Sequence, residues 1–293
     1  MSPNSELSSF AARLRESILT SEWGARTSPS SRPSASEADF EALALQLFAL
    51  QFEHNAPYRR LCEARGTPPD TVALWTDIPA APTSAFKELG FSCLPAAERT
   101  AVFHSSGTTG QRPSRHYHSA GSLALYEASL LRWFEANSQL PIANCQLAIQ
   151  GPRAKSQLVI LTPPRSEAPH SSLVYMFETI RREAGWGGAA FVGKVAEDGT
   201  WTLDVEAAIE RLRSASGTGQ PVLMLGTAFS FVHLLDDLTE QNLRLELPPG
   251  SCALETGGYK GRSRSLPKAA LHALLSERLG IPPSHIVCEY GMS

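Results

Sequence analysis

The chain has 293 residues, of which 42% are apolar and 19% charged, and its formal net charge is −3. This composition is that of a globular chain and excludes intrinsic disorder, while the charge gives no reason to expect a nucleic-acid partner. Five widely spaced cysteines without a C-x-x-C pair predict neither a disulfide framework nor a zinc site, and they fit a reducing compartment. No apolar run is long enough to span a bilayer, so we expect a cytoplasmic protein without a membrane span.

The first part of the chain contains a short segment and a linker. Residues 26–38 read RTSPSSRPSASEA, which is rich in Ser and Pro and lacks apolar periodicity. We therefore interpret residues 1–38 as an N-terminal segment that ends in a flexible linker. A helix then opens one domain over residues 39–293. Its apolar positions recur at helical spacing, at Phe40, Leu43, Leu47 and Leu50.

Beyond residue 100, short apolar runs alternate with helical patterns. The runs that predict buried strands are Ala101–Phe103, Gln146–Ile149, Leu158–Leu161, Ala189–Val192, Val222–Leu225 and Ile286–Cys288. Helical patterns follow a Ser119 cap, start near Val205, and follow a cap at Ser265 with Pro267. This alternation predicts an α/β fold with mostly parallel sheets and flanking helices, in which ligands bind where strands end.

One loop carries the strongest chemical signal. Directly after the first predicted strand, the chain reads Ser105-Ser106-Gly107-Thr108-Thr109-Gly110. Glycines let the backbone approach a ligand closely, hydroxyl groups add donors, and Arg112 and Arg115 supply cations that suit phosphate oxygens. The segment therefore predicts a polyphosphate-binding loop, with an ordinary Ser- and Gly-rich surface loop as the alternative. It is not the loop of P-loop NTPases, because Pro113 stands where that pattern needs Lys.

The loop resembles the phosphate loop of the adenylate-forming superfamily, which includes acyl-CoA synthetases, luciferases and peptide-synthetase adenylation domains. The segment Glu289-Tyr290-Gly291-Met292-Ser293 resembles that superfamily's second nucleotide motif, Y-G-x-T-E. Residues Ile78–Glu88 and Gly257-Gly258-Tyr259-Lys260 look most like the LuxE-type acyl-protein synthetases, which supply activated fatty acid to a reductase. The resemblance covers residues 40–293 in motif order and implies the superfamily's large N-terminal domain.

The resemblance also implies a reaction. In this superfamily, a carboxylate attacks the α-phosphate of MgATP to give acyl-AMP and pyrophosphate, and a thiol then takes the acyl group. The implied cofactors are ATP and Mg²⁺, and the implied substrate is a carboxylic acid, here a fatty acid. The implied partner is an acyl-accepting protein or a reductase. An aryl- or phenylacetate-type coenzyme A ligase and a non-catalytic nucleotide- or acyl-binding fragment are the alternatives.

Individual roles follow from the motifs that match. Residues 105–110 match the loop that holds the β- and γ-phosphates, and Thr108 and Arg115 are the implied catalytic residues, Arg115 lying near the usual position of a Lys. The cofactor-binding residues outside the loop match a turn beside the purine and the adenine motif: Gly257, Gly258, Tyr290, Gly291 and Ser293. The Glu that normally follows the hydroxyl residue, a magnesium ligand, would come after Ser293, as would a C-terminal lid. We therefore expect the chain to correspond to the N-terminal domain of a longer enzyme.

Several other residues have a simpler interpretation beside a functional one. His104, His116 and His118 flank the loop without a carboxylate or Cys at ligand spacing, so we expect no metal site there. Cys288 lies in an apolar run, which favours a buried thiol over an acyl acceptor. Acyl-pocket candidates follow the Val222–Leu225 run, with ordinary helix packing as the alternative: Phe229, Phe231 and Val232.

Overall fold

The computed structural model describes residues 3–20, 35–105, 112–138, 156–183, 189–259 and 263–289. The chain divides into two compact units, Met1–Trp133 and Phe134–Ser293, which are considered separately below. The boundary predicted near residue 38 stays a prediction. None of the helices among the described residues is long and apolar enough to cross a membrane.

The first unit contains helices and one hairpin. Its helices are α1 (Pro3–Thr20), α2 (Ala35–His54), α3 (Ala56–Ala64), the short α4 (Ala85–Glu88) and the first part of α5 (Ala120–Ser138). Its strands β1 (Ala101–His104) and β2 (Arg115–His118) pair antiparallel. The helix predicted around Phe40 is confirmed as α2. The linker prediction was wrong over residues 35–38, because nothing after Pro33 breaks the helix and α2 begins at Ala35.

A small aromatic core holds the first unit together. Phe48 of α2 and Tyr58 of α3 are both buried, with their rings 6.0 Å apart in an edge-to-face arrangement. The Tyr58 hydroxyl donates a hydrogen bond of 2.8 Å to the carbonyl of Pro79. Asn55 caps α3 by accepting the Tyr58 backbone N–H. These contacts fix α2, α3 and the segment that precedes α4.

The hairpin and α5 follow one another directly. Ser119 and Ser122 cap the start of α5 reciprocally, because each hydroxyl accepts the other residue's backbone N–H, at 3.2 and 2.9 Å. The predicted Ser119 cap is therefore confirmed. The prediction did not include β2, and β1 belongs to this two-stranded antiparallel sheet rather than to a parallel one. The segment predicted to bind phosphate therefore lies, in the sequence, between two antiparallel strands.

The second unit is an α/β structure around a five-stranded parallel sheet with the order β4-β3-β7-β8-β9. The strands are β3 (Gln157–Ile160), β4 (Ala190–Phe191), β7 (Val222–Gly226), β8 (Cys252–Glu255) and β9 (Ile286–Cys288). A hairpin of β5 (Gly193–Val195) and β6 (Trp201–Leu203) lies outside the sheet. The predicted strands that became β3, β4, β7 and β9 are confirmed, and Gln146–Ile149 lies outside the described residues. The predicted α/β class is thus confirmed, with a parallel sheet flanked by helices.

Four helices accompany this sheet: α6 (Ser172–Glu183), α7 (Val205–Thr218), α8 (Ala228–Glu240) and α9 (Lys268–Leu279). Asp204 caps α7 by accepting the Ala207 N–H at 3.0 Å. The predicted Ser265 cap of α9 was wrong. Pro267 occupies the N-cap position of α9 and no side chain caps this helix, because the helix begins two residues later than the predicted cap requires.

Candidate nucleotide site

The base of the predicted phosphate loop is a hydrogen-bonded pair of serines in the first unit. The Ser105 N–H donates to the Ser114 carbonyl at 3.2 Å, and the Ser114 N–H donates to the Ser105 hydroxyl at 3.0 Å. This double contact closes the hairpin below the loop. The remaining loop residues lie outside the described residues: Ser106, Gly107, Thr108, Thr109 and Gly110. Their predicted contacts with phosphate stay predictions.

Arg115 stands at the base of the same loop. It lies opposite His104 in the β1–β2 pairing, so it is the first paired residue of β2 after the serine pair. Its Nε is buried and has no hydrogen-bond partner among the described residues. A buried guanidinium N–H without a partner is costly, so an acceptor at this position would stabilise the site. The oxygen of a phosphate or carboxylate is such an acceptor.

The histidines beside the loop are held by packing. His116 stacks on Phe86 with 5.0 Å between ring centres, and its Nε2 lies 2.9 Å from the Ser114 hydroxyl. His118 Nδ1 lies 3.2 Å from the hydroxyl of Ser122. Burial lowers the pKa of both imidazoles, which favours their neutral forms at neutral pH. Both rings are therefore part of the packing around the hairpin.

In the second unit, the Gly-Gly turn lies at the carboxyl end of β8. Gly257 and Gly258 have φ values of 58° and 76°, in the left-handed region that favours glycine. The Gly257 N–H donates to the Glu255 carboxylate at 2.7 Å, so the last residue of the strand fixes the turn that follows it. A Cβ added at Gly257 would meet no atom of the described residues within 4 Å, so they leave this side of the turn open.

Glu255 is the functional candidate that the sequence analysis missed. Its side chain is only 3% exposed. One carboxylate oxygen accepts the Gly257 N–H, and the other lies 3.3 Å from Nε2 of His272. A buried carboxylate needs such partners, because an unpaired buried charge is expensive. The only sequence signal is a Glu at the end of an apolar run, directly before Thr-Gly-Gly.

Cys288 lies on β9, opposite Glu255 in the parallel register. Burial, followed by a hydrogen bond to the Glu255 carboxylate, raises the pKa of the Cys288 thiol to about 11. The thiol is therefore protonated at neutral pH, and a protonated thiol is a poor nucleophile. This supports the interpretation of Cys288 as a structural thiol rather than an acyl acceptor.

The parallel pairing of β8 and β9 brings two of the predicted motifs together. The Glu289 N–H donates to the Glu255 carbonyl at 2.8 Å, so the chain leaving β9 lies beside the chain leaving β8. The Gly-Gly turn and the start of the second nucleotide motif thus share one edge of the sheet. Tyr290, Gly291 and Ser293 lie outside the described residues, and their predicted contacts with adenine stay predictions.

The predicted acyl-pocket residues lie in the interior of the second unit. Phe231 and Val232 of α8 are completely buried in the main core, and Phe229 is 4% exposed. A Cβ added at Gly226, at the end of β7, would lie only 3.2 Å from the Phe231 ring, so this space is filled. The packing alternative therefore accounts for these three residues, and we do not assign them to an acyl pocket.

One group of potential metal ligands occurs among the described residues. Ligand atoms of Glu6, Glu53 and His54 lie within 4.8 Å of one another, and both carboxylates are exposed. His54 Nε2 lies 3.7 Å from a Glu6 oxygen, which forms an ion pair when the imidazole is protonated. His54 also ends α2, where a cation interacts favourably with the helix dipole. Electrostatics at a helix end accounts for this cluster.

Comparisons of the chain with protein-family models, with curated proteins and with solved structures give no significant match.

Proposed function

We propose that this protein uses ATP to activate a carboxylic acid, a fatty acid, as its acyl-adenylate with release of pyrophosphate. A thiol of an acceptor protein then takes the acyl group and AMP leaves. The observation that carries the proposal is the shared sheet edge. There the Gly-Gly turn, fixed by Glu255, lies beside the chain that enters the Tyr290 motif. The turn and the first residue of the second motif are thereby adjacent where ligands of parallel sheets bind.

Each matched segment has a defined part in the proposed mechanism. The left-handed Gly257-Gly258 turn would lie against the purine, which would approach at Gly257, where neither a Cβ nor another described atom stands in the way. The hydroxyl and backbone donors of residues 105–110, with the guanidinium of Arg115, would stabilise the charge on the phosphate oxygens of MgATP as the carboxylate attacks the α-phosphate. Mg²⁺ would enter with the phosphates.

The proposed reaction also needs an acyl acceptor. We place the acyl acceptor on a separate protein thiol, or on the reductase that uses the acyl group, because burial keeps the Cys288 thiol protonated. Cys62, Cys93 and Cys288 are free thiols, which fits the proposed cytoplasmic location. An aryl-type coenzyme A ligase is distinguished by its product, acyl-coenzyme A, when free coenzyme A is supplied.

A pair of glycine variants tests the nucleotide site. Gly257 and Gly199 both have positive φ, 58° and 78°, and an added Cβ meets no atom within 4 Å at either position. Ala at either position should cost about 1–2 kcal/mol of backbone strain. We expect Gly257→Ala to weaken ATP binding about tenfold, because its methyl group would lie where the purine approaches, whereas Gly199→Ala leaves the affinity unchanged. Calorimetric titration with MgATP measures both; equal affinities would refute the assignment of the turn.

A further inference from the structure

The first unit contains a cavity of about 910 Å³. Its walls come from α1, α2, α5, strand β2 and the loop that follows α4. Apolar side chains from the helices and the loop line it, among them Phe10, Leu14, Leu47, Phe48, Phe91 and Leu125. Small-molecule sites occupy roughly 300–1,000 Å³, so this cavity has the size of a site for a large ligand.

The cavity wall also contains polar side chains, of which Arg15 and Glu98 are charged, and several of the others bind protein groups. Gln51 Oε1 accepts a hydrogen bond of 2.9 Å from the thiol of Cys93. Asn55 accepts from a backbone N–H, and His116 is bonded to a serine hydroxyl. The wall therefore satisfies these groups internally and presents mainly hydrocarbon to the cavity. A ligand whose buried part is itself hydrocarbon matches such a wall, because it leaves no polar group without a partner.

One end of the cavity is connected to the predicted phosphate loop by strand β2. His116, Tyr117 and His118 of this strand line the cavity, and Arg115 immediately precedes them. Arg115 carries the buried Nε that lacks a partner among the described residues. Arg115 does not itself line the cavity, but a carboxylate at this end would lie near it along β2, while its hydrocarbon part extended along the apolar helices.

We propose that this cavity binds the hydrocarbon chain of a long-chain fatty acid, whose carboxylate points toward the β1–β2 hairpin. The volume and the apolar lining favour an extended aliphatic chain over a single-ring aryl acid. The proposal rests on the proposed function only for the fate of the carboxylate, because binding of the chain itself requires no ATP. It replaces the acyl pocket that the sequence suggested in α8.

The first test uses two alanines of the same helix in the full 293-residue chain. Ala44 lines the cavity, whereas Ala42 is exposed and does not line it. Ala44→Phe should weaken binding of cis-parinaric acid, a fluorescent long-chain fatty acid, about tenfold, because its ring occupies space that the chain needs. Ala42→Phe should keep the wild-type affinity, and palmitate should displace the probe far better than phenylacetate. Equal weakening by both variants, or equal displacement by both acids, would overturn the proposal.

A second measurement on the unmodified chain does not depend on how a variant folds. Cys93 lines the cavity and is partly accessible, and burial raises the pKa of its thiol to about 11. Its alkylation by N-ethylmaleimide is therefore followed at alkaline pH, where more thiolate is present, by mass spectrometry of the Cys93 peptide. Bound palmitate should slow this alkylation. Alkylation at an unchanged rate under saturating palmitate would refute the assignment. Fatty-acid binding without ATP-dependent activation would support the cavity and remove the proposed function. Activation of some acid without binding of long-chain acids would support the proposed function and overturn the assignment of the cavity.

Discussion

In the second unit, Phe231, Leu234 and Leu225 are completely buried, whereas in the first unit Leu74 and Trp75 remain 52% and 45% exposed. Every large apolar side chain that is recorded as exposed among the described residues belongs to the first unit. The second unit therefore uses its apolar side chains to hold a rigid parallel sheet. The first unit leaves part of its apolar surface to line a cavity or to meet solvent. Under the proposed function, the packed unit would hold the Gly257-Gly258 turn and the other would hold the hydrocarbon chain of the substrate.

The largest expected effect tests the packing difference itself. Phe231→Ala removes a completely buried ring, so it should lower the free energy of unfolding by about 3–5 kcal/mol. Leu47→Ala removes a side chain that lines the cavity and is 36% exposed, so it should cost about 1 kcal/mol or less. Urea denaturation followed by circular dichroism measures both variants. Equal losses would contradict the distinction between a packed unit and a loosely packed one.

A smaller effect tests the carboxylate that fixes the turn. Glu255→Ala leaves the Gly257 N–H and His272 without their buried partner, so it should cost about 1–3 kcal/mol. Glu210→Ala removes an exposed carboxylate from α7 of the same unit and should change stability by less than about 0.5 kcal/mol. Thermal melting compares the two variants. If Glu255→Ala is as stable as its control, the carboxylate does not hold the turn.

The smallest effect is a dependence of stability on pH in the first unit. Burial lowers the pKa of His116 and His118 below 6.5, so the unfolded chain binds more protons than the folded chain as the pH falls. Their contribution is complete above pH 6.5 and is lost as the pH drops through the folded pKa. His116→Gln should lose less stability than the wild type between pH 7.5 and pH 5.5, which are test conditions about one unit either side of the ordinary His pKa. The exposed control His170→Gln should behave like the wild type in the same urea titrations.

The sequence predicts the second unit better than the first for a physical reason. Strands buried on both faces are continuous apolar runs, so β3, β7 and β9 were recognisable. Strand β2 reads Arg-His-Tyr-His and exists because it pairs with β1, which no local pattern shows. Helix α1 was not predicted either. These two elements depend on tertiary pairing and packing, so local sequence periodicity does not predict them.

The candidate site shows the same division. The glycines of the Gly257-Gly258 turn were visible in the sequence, because a required left-handed backbone selects for glycine. The role of Glu255 was not visible, since it depends on a contact with a backbone N–H and on a histidine 17 residues away. The acyl pocket was assigned to α8 because apolar residues in a core and in a pocket have the same composition. Only burial distinguishes Phe231 from Leu47.

The measurement that tests the central claim most directly is acid-dependent exchange of labelled pyrophosphate into ATP by the 293-residue chain. Exchange reports reversible formation of an acyl-adenylate and needs no acceptor thiol. The assay covers saturated acids of increasing chain length and phenylacetate. We expect exchange that requires a long-chain acid and MgATP and is lost in Thr108→Ala. Absence of exchange with every acid, or exchange that is unchanged in Thr108→Ala, would contradict it.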